Sequence, residues 1–496
     1  MGSGVLSKSQ YVRGLQCPKS LWLYRNRKDL IPPSPPGLQR NFDQGHAIGR
    51  LARARFPGGV DITADYLHQQ HALDSTAAAV NSGARTIYEA AALFDKTLVR
   101  SDILNRNADG TWDLVEVKGA TDVNDVYLQD LAIQAYILEG AGFRLRRAIL
   151  MHVNNQYVRR GPINPKSFFT LVNLTVKLKP FIKAVPAEVR RLHRVLSSSA
   201  SPKIDIGPHC SSPYECSFQE HCWRRLPDYS IYDLVRIREG KIIQLKGRGV
   251  LKIAEVPEDF PLSRAQEIQV LCEKTKKAHI EKVAIGELLD TLVYPLHYLD
   301  FETLNPAIPP YDGLRPFQQM PFQASIHVQE TEGAPIKHVE YLGDGRSDPR
   351  PGLVECLASS ISGRGTVIAY NAGFEGQCLR SLAGAYPKRA KALLSAANRL
   401  WDLGDPFRKS FYVDPAFKGS WSIKAVLPVL VPSMTYKNLP VGNGEQAQLA
   451  FLALMSGNLP AAERKKTVRN LKIYCGQDTF AMVKILAKLQ KIRGSC

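Results

Sequence analysis

The stretch Ser101-Asp102-Ile103-Leu104-Asn105-Arg106-Asn107-Ala108-Asp109-Gly110-Thr111-Trp112-Asp113-Leu114-Val115-Glu116-Val117-Lys118 decides how the first half of the chain folds. Val99 to Asn105 alternates well enough for a strand, and Trp112 to Lys118 alternates again. Between them Ala108-Asp109-Gly110 is hairpin chemistry, with a glycine available for a left-handed position. A loop of these residues pairs Asn107 with Thr111, and the same register sets Asp102 opposite Glu116. Side chains alternate along a strand, so Glu116 and Lys118 share one face while Val117 points the other way. Two carboxylates and an ammonium thus converge. Carboxylates can hold a hard divalent cation, which lowers the pKa of a bound water. The lysine can orient that water or stabilise charge developing on a phosphate.

The Asp…Glu-x-Lys arrangement resembles the PD-(D/E)XK nuclease superfamily, in which it is the active site. On the residues alone, a polar face on an ordinary hairpin fits as well. The resemblance implies an α/β, restriction-endonuclease-like domain with Asp102 and Glu116 as metal ligands and Lys118 as the catalytic ammonium.

Bulk properties favour the first reading. At 496 residues the chain exceeds what one hydrophobic core supports, so two or three domains are expected. Its formal net charge of +19 suggests a polyanionic partner, most simply nucleic acid. No apolar run reaches the length of a membrane span, and the N-terminal MGSGVLSKSQ has no signal-peptide core, so the chain reads as cytoplasmic. Of nine cysteines, those that cluster then suggest metal rather than disulfides.

Val5 to Leu30 opens with a helix cap at Ser7 or Ser9 and is ended by Pro32, Pro33, Pro35 and Pro36. Asn41 to Phe56 is expected to be helical, with Ile48 and Leu51 facing inward. RecB-like nucleases often carry a metal-binding histidine in this helix, in a Gly-x3-His setting. Counting from Gly45 puts Gly49 at that position, so His46 reads as a surface or packing histidine. Glu89 fits either an extra acidic group or a cross-strand partner. After the hairpin, Val126 to Leu138 reads as a helix. The Gln-x3-Tyr motif of RecB-like nucleases carries over to Gln134 but not to Tyr136, which comes only two residues on. Ala148 to Val153 is a strand, Lys166 to Leu196 a basic helical segment broken at Pro180 and Pro186, and Ser197 to Pro202 a hinge.

Cys210, Cys216 and Cys222 follow at even spacing, with gaps wider than the usual zinc knuckle. A cubane cluster needs four thiolates, and Cys17, directly before a proline, is the candidate fourth. One early cysteine and three after the nuclease core resemble the iron–sulfur RecB-like nucleases, where the cluster staples the two ends of the domain. The expectation is a [4Fe-4S] cluster; His209 and His221 keep zinc in play, and buried free thiols remain open. Cys272, Cys356, Cys378, Cys475 and Cys496 stand singly and read as packing residues. Residues 226–289 read as a connector, in which Leu245 to Leu251 fits a helix–hairpin–helix phosphate contact or a plain linker.

The second half opens on Leu296-His297-Tyr298-Leu299-Asp300-Phe301-Glu302-Thr303, a buried strand with two acids on one face, tolerable only with a compensating cation. It resembles the Asp-x-Glu strand of DnaQ-like exonucleases of the ribonuclease-H fold. Asn371-Ala372-Gly373-Phe374-Glu375 resembles their Asn-x2-Phe-Asp motif with Glu for Asp, and Tyr474 to Asp478 resembles the Tyr-x3-Asp of the DEDDy subgroup. The resemblance implies that Asp300, Glu302, Glu375 and Asp478 hold two divalent metals while Tyr474 orients the attacking water. Asp402 reads as a structural carboxylate. Lys418 to Lys424 reads as a basic loop whose Trp421 stacks on bases or packs in the core. The whole chain also resembles an uncharacterised bacterial family known only as a domain of unknown function, with cues at Tyr311-Asp312-Gly313, Pro321-Phe322-Gln323 and Gly419-Ser420.

The expectation is therefore a two-nuclease protein. Residues 1–225 form the iron–sulfur PD-(D/E)XK domain and 290–496 the DnaQ-like 3′–5′ exonuclease domain. Both use Mg2+ or Mn2+ on single-stranded or end-bearing DNA, in repair, recombination or defence; a partner helicase is left open. The rivals are one site degenerated into a nucleic-acid clamp, a non-catalytic iron–sulfur adaptor, and an RNA-processing nuclease.

Overall fold

The computed structural model describes residues 4–33, 36–63, 68–361 and 363–493. Pro35 and Cys496 lie outside the described residues. The chain is a mixed α/β protein built on two mixed sheets, and it divides into residues 1–225 with 306–317 and residues 226–305 with 318–496.

In the first unit seven strands make one sheet: β1 (Leu6–Ser7), β2 (Val60–Asp61), β3 (Thr86–Phe94), β4 (Thr97–Arg106), β5 (Trp112–Lys118), β6 (Leu145–Val153) and β7 (Phe169–Asn173). They run in the order β2-β3-β4-β5-β6-β7, and β1 pairs with β4. The quoted stretch is the β4–β5 hairpin. Asn107 N–H bonds the Thr111 carbonyl at 2.8 Å, and Gly110 takes the left-handed turn position at φ +78°. The ladder pairs Arg106 with Trp112 and ends at Ile103–Val115, one step short of Asp102 and Glu116. There the Asp102 side chain replaces a backbone acceptor, taking the Val117 N–H on Oδ2 at 2.6 Å.

Helices α1 (Lys8–Gln16), α2 (Pro18–Asn26), α3 (Pro36–Arg53), α4 (Gln69–Asn81), α5 (Asp125–Gly140) and α6 (Thr175–Ser197) cover the sheet. The crossover α5 is what allows β5 and β6 to run parallel. Leu104 and Leu114 pack with Leu128, Leu131 and Leu178, whereas Ile103 and Val115 pack with Ile48 and Ala52 of α3. Alternation along two strands thus feeds two apolar layers. Cys17 divides the expected Val5–Leu30 helix. Standing before Pro18 it is driven into an extended conformation (φ −158°, ψ 109°), so it ends α1 and caps α2.

The segment 166–196 departs from expectation twice. Phe169–Asn173 pairs antiparallel with β6, because Phe168 and Phe169 are buried beside that strand. Pro180 and Pro186 lie inside α6 rather than breaking it. Each removes a helix hydrogen bond, at a cost of about 3 kcal/mol in an isolated helix. Burial of Leu178, Val185, Val189 and Leu192 offsets that.

In the second unit the larger sheet consists of β8 (Leu296–Leu304), β9 (Met320–Gln329), β10 (Lys337–Leu342), β11 (Thr366–Ala369) and β12 (Leu400–Asp402), in the order β10-β9-β8-β11-β12. β8 is central, antiparallel to β9 and parallel to β11. One face, with Leu299, Phe301, Ala324 and Ile326, packs on α7 (Arg350–Ser360) and α8 (Ala372–Ala385). Gln323 and Ser325, on the alternate face, bond to Leu471 and Thr479 of the long α9 (Ala461–Arg493) at 2.9 and 2.7 Å.

Residues 226–289, read from sequence as a connector, belong to this unit and carry an apolar cluster of their own around Ile231, Leu245, Ile253 and Phe260. Conversely, residues 306–317, which hold the Tyr311-Asp312-Gly313 cue, belong to the first unit. Arg159 Nη1 bonds the Pro309 and Pro310 carbonyls there, each at 2.7 Å. Among the described residues no helix is long and apolar enough to cross a membrane.

Candidate metal centres

Where β4 and β5 stop pairing, a cavity of about 490 Å³ opens, lined by Lys8, His46, Arg53, Glu89, Asp102, Glu116 and Lys118. Glu116 is 1 % exposed, which a carboxylate tolerates only when paired. Its Oε1 accepts from Lys8 at 2.9 Å and Lys118 at 2.8 Å, and its Oε2 from Gln134 at 2.8 Å. Burial alone would raise its pKa; Lys118 and Lys8 instead hold it well below the usual carboxylate range. Asp102 is pushed up to about 7 by burial and by the negative charge of Glu116. Lys118 also reaches Asp130 at 2.5 Å, and Asp130 is raised by burial and by Glu116.

Glu89 lies in β3 between the pairs Tyr88–Ile103 and Ala90–Ser101, so it counts across from Asp102. Its backbone is left-handed, φ +57°, a strained choice for glutamate. It faces Arg53 at 3.6 Å and Arg100 at 3.9 Å, so it is both a cavity acid and a cross-strand partner. His46 is exposed, as a surface histidine, and is among the residues that line this cavity. Tyr136 is on the other side of α5, bonded to Asp95 at 3.2 Å and edge-on to Phe94, as a two-residue step along a helix requires.

Lys8 and Asp130 are the residues that sequence reading missed. Asp130 carried a signal, standing one helical turn before Gln134 on the same face. Lys8 carried none beyond the capping box that begins α1, Ser7 with Gln10.

Cys17, Cys210, Cys216 and Cys222 line one small cavity of the first unit. Ser20 N–H points at Cys17 Sγ at 3.4 Å, and Cys216 Sγ lies 3.4 Å from the Ser20 hydroxyl. Burial and the neighbouring sulfurs push the Cys17 and Cys222 thiols up. Among the described residues no three of these sulfurs fall within 4.8 Å of one another.

In the second unit Asp300, Glu302 and Asp478 bring carboxylate oxygens within 4.8 Å of one another. β8 alternation puts the first two on the α9 face, and Asp478 sits there on α9 itself. Glu302 is 7 % and Asp478 8 % exposed, while Asp300 stays partly open. Asp300 is raised well above the usual range by burial and by Asp478, Glu302 and Glu375. Glu302 is pushed up to about 8 by burial and Asp478, and Asp478 to about 6 by burial. A site this short of positive charge fits a cation held by hard oxygen ligands.

Glu375, expected as the fourth ligand, stands outside that group. It is 3 % exposed at the start of α8, its Oε2 has no protein partner, and burial pushes it to about 8. It is nonetheless near enough for its charge to raise the Asp300 carboxyl. Asp402 accepts the Asn371 and Gly404 N–H groups at 3.0 and 2.9 Å and faces Arg408 at 3.2 Å, the work of a structural carboxylate. Trp421 is half-buried beside Phe407, Phe417 and Tyr412.

Tyr474 is 4 % exposed, and burial and Asp478 keep its hydroxyl protonated. Of three neighbours, sequence reading missed Tyr436, placed Lys424 in a basic loop and took Cys475 for packing. Tyr436 donates to Asp478 Oδ1 at 2.6 Å, Lys424 lies 5.5 and 5.7 Å from the Tyr436 and Tyr474 rings, and Cys475 Sγ is 3.6 Å from Asp300 Oδ2. Cys475 therefore touches a site carboxylate and is not packing alone.

Residues 297–422 match the family described as "Domain of unknown function (DUF2779)". Among curated proteins, "Uncharacterized protein UU173" of Ureaplasma parvum is 27 % identical over 292 residues, covering 54 % of this chain and 42 % of that protein. "Uncharacterized protein MG366 homolog" of Mycoplasma pneumoniae is 29 % identical over 209 residues, covering 38 % and 31 %. The chain thus spans less than half the length of these relatives. The crystal structure of SSO0001 aligns with 46 % of this chain and 89 % of that one, at 11 % identity and a TM-score of 0.25, too slight a likeness to carry an argument. By sequence, then, the chain is similar over residues 297–422 to a family of unknown function, and more widely to these mycoplasma proteins.

Proposed function

We propose that the chain hydrolyses nucleic-acid phosphodiesters at two metal-dependent centres. The first unit would act as a RecB-like PD-(D/E)XK nuclease, the second as a DnaQ-like 3′–5′ exonuclease. The observation that carries this is the convergence of Asp300, Glu302 and Asp478 in a charge-starved, buried group within a chain of net charge +19. A protein that only bound a polyanion would gain nothing from buried acids facing it.

Asp300, Glu302 and Asp478 would hold Mg2+ or Mn2+ in the second unit, and Asp102 and Glu116 in the first. A divalent ion there supplies an activated water and neutralises charge on the phosphate. The Tyr436 hydroxyl fixes the Asp478 carboxylate, protonated Tyr474 offers a donor to orient water, and Lys424 sets a positive charge beside both rings. In the first unit Gln134 and Lys118 hold Glu116 in place, and Lys118 and Lys8 face the cavity with their charge. Single-stranded or end-bearing DNA is the favoured substrate.

The test is cleavage of 5′-labelled single-stranded DNA, and of RNA of the same sequence, by anaerobically purified protein in Mn2+, Mg2+ and EDTA. Metal-dependent shortening, faster on DNA, is expected. A folded, metal-loaded protein that cuts neither polymer would sink the proposal and leave a binding adaptor; faster cutting of RNA would reassign the substrate.

One observation favours a variant of this reading, in which only the second unit cuts. Two lysines already neutralise Glu116 through one oxygen, whereas the second unit's acids have Lys424 as their cation among the interactions described above. In that case the first unit would be a nucleic-acid clamp.

The four cysteines are proposed to hold a [4Fe-4S] cluster. Tetrahedral zinc with Zn–S bonds of about 2.3 Å needs sulfurs roughly 3.8 Å apart. The four cysteines line one cavity, and the wide, even spacing of the last three in the sequence supports the cluster reading. Iron and acid-labile sulfide near four atoms each per chain are expected. Cys17→Ser should lose both and free the α1–α2 joint for limited proteolysis; stoichiometric zinc in the wild type would refute the assignment.

A further inference from the structure

Lys8 reaches the first centre through strand pairing. β1 runs parallel to β4, with Leu6 beside Thr97 and Ser7 beside Leu98, so the next residue, the first of α1, arrives at the carboxylates. There its ammonium bonds Glu116 Oε1 at 2.9 Å and faces Asp130 at 3.5 Å. Lys118 takes the same Glu116 oxygen at 2.8 Å and Asp130 at 2.5 Å, so two cations and two anions alternate in a closed circuit. A carboxylate offers about four acceptor positions. On Glu116 two are taken by the lysines at Oε1 and one by Gln134 at Oε2.

We propose that Lys8 is a displaceable internal cation that competes with a divalent ion for Glu116 and so sets the metal affinity of the first centre. The inference rests on the reading of Asp102 and Glu116 as metal ligands. A divalent ion and an ammonium on the same carboxylate oxygen repel each other, so the presence of one weakens the hold of the other. Two ammonium groups on one oxygen also repel, which lowers the cost of losing the less firmly held. Both lysines are partly exposed, so the difference lies in what else holds them. Lys118 stands two residues from Glu116 on the same strand face, bonds Asp130 at 2.5 Å and lies 5.5 Å from the centre of the Tyr127 ring. Lys8 comes from a different element and holds Asp130 more loosely, at 3.5 Å. It is the one that leaves. In the second unit Lys424, the cation beside Glu302 and Asp478, bonds the Gly442 carbonyl at 2.8 Å rather than a carboxylate. The two centres therefore fill at different ion concentrations, the second before the first.

The test is Mn2+ binding to the anaerobically purified full chain without nucleic acid, read from the electron paramagnetic resonance signal of the free ion. In an Asp300→Asn/Asp478→Asn background the first centre is read alone. There Lys8→Gln is expected to bind Mn2+ about tenfold more tightly, since it removes a positive charge at contact distance from Glu116. Lys8→Arg keeps the charge and should bind as weakly as the parent. A gain of affinity is a readout that damage to the fold does not produce, and Lys8→Met repeats the measurement if Lys8→Gln does not fold. Equal or weaker binding in the neutral variants, at a site that Glu116→Gln abolishes, overturns the role of Lys8 alone. Binding that Glu116→Gln leaves unchanged overturns the metal reading of the first unit and this inference with it. Tighter binding in Lys8→Gln with no cleavage of DNA or RNA keeps the role of Lys8 and overturns the nuclease reading instead. With Asp300 and Asp478 intact, two classes of Mn2+ are expected, and only the weaker should move with Lys8→Gln; movement of the tighter class overturns the order of filling.

Discussion

Glu116→Ala and Asp300→Ala are each expected to remove one of two parallel cleavage rates, and the double variant to remove both. Asp300 shares its group with Glu302 and Asp478, so the substitution removes one of three converging carboxylates, held on the central strand. Metal-centred stabilisation of a phosphoryl transition state is worth several kcal/mol, so the double variant should cut roughly 10³-fold slower or worse. Parallel rates add, so what survives each single change measures the other centre directly. If Glu116→Ala leaves the rate untouched and Asp300→Ala abolishes it, the first unit is a clamp. The reverse result would overturn the second unit as a nuclease. Initial rates at saturating Mn2+ decide this, with circular dichroism to confirm that each variant folds. Glu116→Ala also leaves Lys8 and Lys118 with Asp130 as their one shared carboxylate, so Glu116→Gln is the better-behaved comparison.

Glu375→Gln is expected to stabilise the metal-free protein at pH 8 and to change little at pH 5. Burial pushes the Glu375 carboxyl from 4.5 to about 8 in the folded chain. Between those values the folded state keeps a proton that the unfolded chain has released. Stability from this group is therefore complete below about 4.5 and declines as pH rises toward 8. Each pKa unit corresponds to about 1.4 kcal/mol, so the wild type should lose melting temperature across this window more steeply than the variant. Glu302, also near 8, adds to the wild-type slope and stays in the variant as an internal reference. Mn2+ should raise the wild-type melting temperature more at pH 8 than at pH 5, because a cation binds ionised carboxylates. Identical pH slopes for variant and wild type would show that Glu375 is ionised at no cost. Thermal melts from pH 5 to 8, with and without Mn2+, make the measurement.

Much of the architecture was written locally. The β4–β5 hairpin follows from alternation and from Gly110, and the break between α1 and α2 from Cys17 standing before Pro18. The placement of Asp300 with Glu302 on one face follows from the two-residue period of a strand. The two departures in 166–196 arose where burial of Phe169 and Leu178 overrode the weaker local signals of prolines and basic residues.

What the sequence by itself determined is therefore most of the element types, the acids that share a face, and the net positive charge. Only the tertiary structure decided which distant groups meet them. Lys8 reaches Glu116 across 108 residues of chain, Tyr436 reaches Asp478 across 42, and residues 306–317 join the first unit although they lie between two strands of the second sheet. Periodicity and capping act within a few residues along the backbone, whereas these meetings depend on how whole elements pack. No local pattern records that.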